Sequence, residues 1–170
     1  MIKNMPKTLI FMRHAKAEQS IQGVKDFDRP LNNTGLSDAP RMGRKLLEMG
    51  IKPDLVVSSP ALRAKETAEY VSEQLNYNLD AIVYDPEIYE ASVRSLLAVV
   101  NHLDDQYNCV MIFGHNPSHT YLAEYLTKEA IGNIPTAGAV GINFEFDSWK
   151  LVSEGTGKMK WFEYPKELEE

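Results

Sequence analysis

The chain has 170 residues and a formal net charge of −6, with 18 Lys and Arg against 24 Asp and Glu. That length suits one ordinary domain with a real hydrophobic core. The acidic balance speaks against a nucleic-acid binder, which carries a basic face. No apolar run reaches membrane-spanning length, and the N-terminus lacks the apolar stretch of a signal peptide, so no membrane partner is expected. Cys109 is the single cysteine and has no internal disulfide partner. A reducing, cytoplasmic setting is therefore expected.

Residues 1–7 read as a short polar lead-in. Leu9-Ile10-Phe11-Met12 then closes on Arg13-His14. A short, fully apolar run bounded by polar residues reads as a buried parallel strand, so the first strand is placed at 8–12. Residues 15–33 lack a clean period and read as a loop, with Lys16, Lys25 and Arg29 beside Glu18, Asp26 and Asp28. A helix follows, with Leu36, Ala39, Met42, Gly43, Leu46, Leu47 and Met49 spaced for one face and Gly50 as its stop. Its N-cap is Thr34 or Ser37. Pro40 falls past the first turn and kinks the helix in the first case, and is tolerated in the second.

The second strand is placed at 54–57 and leads into Ser58-Ser59-Pro60. Ser59 suits an N-cap and Pro60 the first helical position, which puts Arg63 in the first turn of a helix running to about 75. A short strand at 81–84 and a loop at 86–91 come next. Ser92 caps a third helix carrying Val93, Leu96, Leu97, Val100 and Leu103. The apolar run 109–113 makes a fourth strand that closes on Gly114-His115. Asn116 as N-cap with Pro117 at the first position opens a fourth helix to about 126.

Beyond it the period changes to two. Val140, Ile142, Phe144 and Phe146 alternate as in a half-buried strand. Asp147-Ser148 suits a turn with a return over 150–152, and Gly155-Thr156-Gly157 a second turn before 158–162. Residues 165–170 are acidic and expected to fray. The predicted fold is α/β: a three-layer α/β/α sandwich with a mostly parallel central sheet and a C-terminal antiparallel β-meander, one domain over 1–170.

In an open α/β sheet, ligands bind beyond the carboxyl ends of the strands. Arg13, His14, Arg63 and His115 all fall on that rim. Guanidinium forks match phosphate oxygens, and a helix N-terminus adds N–H groups and a positive dipole end. Together they predict a phosphate pocket with an imidazole inside it. His14 is the candidate nucleophile, its pKa expected to be lowered by repulsion from the arginines. Taken singly, each residue has an ordinary alternative: a structural histidine at a strand end, an arginine in a surface ion pair, a helix-capping His115. His102 reads as a surface residue. His115 and His119 are four apart, but the Glu of a zinc-protease motif is absent and two arginines would repel a cation. No metal or other cofactor is expected.

Arg13-His14-Ala15, Ser58-Ser59-Pro60 with Arg63, Glu90 after an apolar segment, and Gly114-His115-Asn116 occur in an order that resembles the histidine phosphatase superfamily, with its phosphoglycerate mutase-like fold. The resemblance covers roughly 8–146. Asp28-Arg29-Pro30-Leu31 followed by Gly35 resembles the small SixA-like phosphohistidine phosphatase branch. One departure is Ala15, where the superfamily usually has Gly; Ala does not take positive φ freely. The resemblance implies a hydrolase that forms a phosphohistidine on His14. It implies that Arg13, Arg63 and His115 hold the phosphoryl oxygens and that Glu90 gives a proton to the leaving group. It also implies that backbone N–H groups near Ala137 and Gly138 face the phosphate. The expected substrate is a phosphorylated protein bearing phosphohistidine, or else a small phosphoester. The chain between Arg63 and His115 is short for a closed, water-excluding mutase pocket. A non-catalytic phosphate-binding or partner-binding domain would be expected to have lost at least one of these four residues.

Overall fold

The computed structural model describes residues 5–166. The expectations for the start of the lead-in and for the acidic tail at 167–170 lie outside the described residues. In chain order the elements are β1 (Lys7–Arg13), α1 (Asn33–Glu48), β2 (Leu55–Ser58), α2 (Leu62–Gln74), β3 (Val83–Tyr84), α3 (Val93–Asn101), β4 (Cys109–Gly114), α4 (Ser118–Thr127), β5 (Ala139–Phe144) and β6 (Lys158–Glu163).

The strands form one sheet in the order β3-β2-β4-β1-β5-β6. β1 to β4 run parallel, while β5 and β6 are antiparallel additions on one side. Side chains alternate across a pleated sheet, and here both faces are buried. Leu9, Phe11, Val110, Ile112 and Val57 pack against α3 and α4 through Leu96, Val100, Leu122 and Leu126. Ile10, Met12, Met111, Phe113 and Val56 pack against α1 and α2 through Ala39, Met42, Leu46, Ala68 and Val71. This two-sided burial is why the strands are apolar without alternation. It also gives the three-layer sandwich expected from the pattern.

Several local expectations are corrected. The N-cap of α1 is neither Thr34 nor Ser37 but Asn32, whose side chain accepts from Gly35 N at 2.9 Å. Asn32 is held there by a tertiary bond from its own N–H to the Lys16 carbonyl at 3.0 Å. Pro40 therefore lies inside α1, where it leaves the Leu36 carbonyl without its usual helical donor. α2 begins at Leu62, one residue past the expected start at about Ala61, and its cap is Ala61 rather than Ser59, with no side-chain cap bond. Likewise Pro117, not Asn116, is the cap of α4, although the Asn116 Oδ1 accepts from Thr120 N at 3.3 Å. Lys7 is not part of a solvated lead-in. It opens β1 and is buried, its Nζ donating to the Asp105 carbonyl at 2.6 Å and Asn108 Oδ1 at 2.8 Å.

The expected three-strand meander is a two-strand one. Residues 149–151 form a 3-10 turn that buries Trp149 completely, with its Nε1 donating to the Tyr107 carbonyl at 2.8 Å. Burial of that ring outweighs a short strand pairing, and β5 pairs with β6 instead. Among the described residues no helix is long and apolar enough to cross a membrane.

Candidate active site

β1 and β4 are neighbours with Arg13 level with Gly114. The chain continues past both ends, and the His14 N–H donates to the Gly114 carbonyl at 3.0 Å. Two residues distant in sequence are thus set side by side, and the His14 and His115 ring centroids lie 5.3 Å apart. Gly114 is required at this point: a Cβ there would meet the His119 Cε1 at 2.5 Å and the Ile88 Cγ2 at 2.8 Å.

His14 Nδ1 lies 2.7 Å from the Ala15 carbonyl. A carbonyl only accepts, so Nδ1 carries the proton and Nε2 keeps the lone pair. The pKa of His14 is pushed down to about 4, chiefly by burial and then by the charges of Arg63 and Arg13. The direction matches the sequence expectation, but desolvation outranks repulsion as its cause. The result is a neutral imidazole with one available nitrogen at physiological pH.

Ala15 raises no backbone difficulty. Its φ is not positive, and it is buried against the core. Its N–H donates to Thr67 Oγ1 at 2.9 Å, and that hydroxyl donates to the Arg63 carbonyl at 2.7 Å. Thr67 in α2 therefore ties the strand end that carries His14 to the turn that carries Arg63.

His115 is fixed from the other side. Its Nε2 lies 2.8 Å from Ser59 Oγ, which also accepts from Ala61 N at 3.1 Å. We assign the Ser59 hydroxyl as the donor to Nε2, which puts the His115 proton on Nδ1. Burial first, then the neighbouring His14 and Arg63, push the His115 pKa down to about 3. His115 thus acts as a neutral N–H donor rather than an imidazolium. Ser59 serves as its holder instead of capping α2.

Arg13 Nη1 donates to the Ile134 carbonyl at 3.0 Å. Arg63 donates Nη1 to the Asp26 carbonyl at 2.8 Å and Nη2 to the Asp26 carboxylate at 3.0 Å. After these bonds, Arg13 Nε, Arg63 Nε and His115 Nδ1 remain buried with no partner among the described residues. Buried donors of this kind are rare, because each costs a desolvation penalty. All three belong to neighbours of His14: the His115 ring lies 5.3 Å away and the charges of Arg63 and Arg13 both act on the imidazole, and donors of this kind match the oxygens of a phosphoryl group.

Other expected residues are placed differently. Glu90 follows Tyr89 in the connection to α3, exposed and with φ of 57°. A left-handed non-glycine residue stores strain, a feature that clusters at functional sites. The Ala137 and Gly138 amides, expected near the phosphate, both donate to backbone carbonyls here. Ala137 N donates to the His14 carbonyl at 3.0 Å and Gly138 N to the Pro135 carbonyl at 2.8 Å. Ala137, at φ of 62°, braces the backbone behind His14. His119 turns into the core: its Nε2 donates to the Ile112 carbonyl at 3.2 Å and its ring lies 5.1 Å from Phe11. His102 is exposed, as expected.

Sequence reasoning missed Asp26 and Tyr89. The Tyr89 hydroxyl donates to Asp26 Oδ2 at 2.7 Å, and its ring meets His115 at 5.6 Å and Phe27 at 5.1 Å. Asp26 is one of several charges on an aperiodic loop, and nothing local distinguishes it. Its proximity to Arg29 in sequence was the one available signal.

The fold and this cluster define an α/β protein with a histidine-centred oxyanion site. The family model of the histidine phosphatase superfamily (branch 1) matches residues 9–96, and the chain belongs to that superfamily. Among solved structures, a protein of Agrobacterium tumefaciens assigned as phosphohistidine phosphatase SixA superposes with a TM-score of 0.80. It is 26% identical, over 95% of this chain and 99% of that one. The protein histidine phosphatase SixA in complex with tungstate superposes at 0.79 with 24% identity, over 92% of this chain and 96% of its own, a likeness of fold. An uncharacterised protein of Mycobacterium tuberculosis is 27% identical over 91% of this chain and all of its own length.

Proposed function

We propose that this chain is a metal-independent phosphohistidine phosphatase that acts through a phosphorylated His14. The observation that carries the proposal is a neutral His14, its Nδ1 held by the Ala15 carbonyl, beside Arg13, Arg63 and His115, each of which has a buried nitrogen without a partner among the described residues. Nε2 attacks the phosphorus of a phosphorylated histidine on a partner protein and the bond to the leaving imidazole breaks. Arg13, Arg63 and His115 hold the equatorial oxygens, where charge gathers in phosphoryl transfer. Water then attacks phospho-His14, releasing phosphate and restoring the imidazole. Glu90 donates the proton to the leaving group in the first step and accepts one from water in the second. The likeness to SixA structures supports a phosphohistidine substrate, and no part of the proposed chemistry uses a metal.

The test is hydrolysis of a phosphohistidine peptide in excess EDTA, with para-nitrophenyl phosphate in parallel and His14→Ala as control. Faster turnover of the peptide, lost in His14→Ala, is expected. Preference for the phosphoester would move the assignment to a small-molecule phosphomonoesterase. No turnover of either would leave a phosphate-binding domain.

A further inference from the structure

The loop from β1 to α1, over the rim of the sheet, carries a short 3-10 turn, Asp26–Asp28, that packs on α2. Asp26 is its junction. Its carboxylate accepts from Arg63 Nη2 at 3.0 Å, Tyr89 Oη at 2.7 Å and Arg29 Nε at 3.0 Å. Its backbone carbonyl accepts from Arg63 Nη1 at 2.8 Å. Each terminal nitrogen of Arg63 therefore gives one N–H to the same residue, while Nε is buried and unpartnered among the described residues. A guanidinium is a rigid plane. Fixing two of its corners fixes the direction of the third N–H.

Resting on the phosphoryl-site proposal above, we infer that Asp26 is a positioning residue: it aims the Arg63 Nε–H at the phosphoryl oxygens and sets the Tyr89 ring against His115. It touches no reacting atom and acts through Arg63. This gives the Asp of the rim loop a role distinct from a surface ion pair. The Asp26 side chain is about half exposed, at 49%, whereas that of Arg63 is 8% exposed. Solvent screening makes such an exposed pair weak as a source of stability. Its geometric effect on a buried guanidinium is not screened in that way. A misdirected donor at a transfer site can cost about a hundredfold in rate.

The experiment is a double-mutant cycle with two readouts on the full chain. Inorganic phosphate affinity is measured by calorimetry, and turnover of the phosphohistidine peptide is measured alongside. The proteins are wild type, Asp26→Ala, Asp26→Asn, Arg63→Ala and the Asp26→Ala/Arg63→Ala double variant, with thermal melts to confirm folding. Asp26→Ala is expected to weaken phosphate binding and turnover by about tenfold or more. Asp26→Asn, which keeps an acceptor oxygen for Arg63, restores most of it. The double variant is no worse than Arg63→Ala alone, because the effect passes through Arg63. Multiplying losses, or tighter phosphate binding in both Asp26 variants from relieved charge repulsion, would overturn the inference. Coupling in phosphate binding without turnover would sustain Asp26's role while rejecting the hydrolase. Absence of phosphate binding in the wild type would remove both.

Discussion

At the level of single residues, the site depends on which nitrogen of each histidine carries the proton. The Ala15 carbonyl holds the proton of His14 on Nδ1, and Ser59 holds that of His115 on Nδ1. One ring is thereby suited to the proposed role of nucleophile and the other to that of donor. His14 should titrate near 4 instead of its ordinary 6.5, so its Nε2 stays available throughout the physiological range. Imidazole NMR of the wild type against His14→Ala checks this; a His14 midpoint above 6 would contradict it. Glu90→Gln should slow phosphoester hydrolysis by about a hundredfold or more, within the range of general acid catalysis. It should slow phosphohistidine hydrolysis much less, since an imidazole leaves readily once protonated. Parallel kinetics on the two substrates decide it, and equal losses would reject Glu90 as the acid. Arg13, His14, Arg63 and His115 were legible because each directly follows, or lies one turn beyond, an unmistakable strand. Asp26, Tyr89, Ser59 and Thr67 were not, because their roles come from tertiary hydrogen bonds that no local spacing encodes.

At the level of elements, the sharpest constraint is the contact between α1 and the segment after β1. A Cβ on Gly35 would sit 2.1 Å from the Lys16 carbonyl oxygen. That oxygen is backbone and also accepts from Asn32 N, so it cannot yield easily. Gly35→Ala should destabilise the fold by about 1–3 kcal/mol. It should also reduce turnover per folded molecule, because Lys16 follows His14-Ala15 directly. Urea melts together with active-site titration separate the two effects; a neutral outcome in both would show that α1 shifts freely. The same contact explains the error in the start of α1. Propensity offered Thr34 and Ser37 as caps, whereas the Asn32 amide is pinned by the loop before it. The end of the helix was read correctly, since Gly50 with φ of 83° needs no tertiary information. The return strand expected at 150–152 failed for a similar reason to the cap. Burial of Trp149 is a long-range event, and the turn signals on either side of it carry no trace of its target.

At the level of the whole molecule, three depressed histidines share one consequence. His14 and His119 fall to about 4 and His115 to about 3, each chiefly through burial. All three are neutral when folded, while the unfolded chain takes up protons below about 6.5. Stability is therefore complete above that pH and is lost progressively as pH falls from 6.5 toward 4. The Asp26 carboxyl, held below its usual range first by the Tyr89 hydroxyl, extends the loss further into acid. Calorimetric melts should show the midpoint dropping over this window, by about 2–4 °C for each kcal/mol lost in a chain of this size. A flat profile between pH 6.5 and 4 would contradict the burial of these rings. The layered architecture itself was readable from sequence, because parallel strands buried on both faces leave uninterrupted apolar runs. The assembly of the rim was readable only in outline.

The central claim is that His14 carries the phosphoryl group during turnover. It is tested most directly by rapid quenching with a phosphohistidine peptide, followed by peptide mass mapping under alkaline conditions. The account predicts one phosphoryl group on His14, stable in alkali, labile in acid and absent from His14→Ala. Steady turnover with no adduct, or an adduct on His115 or Ser59, would contradict it.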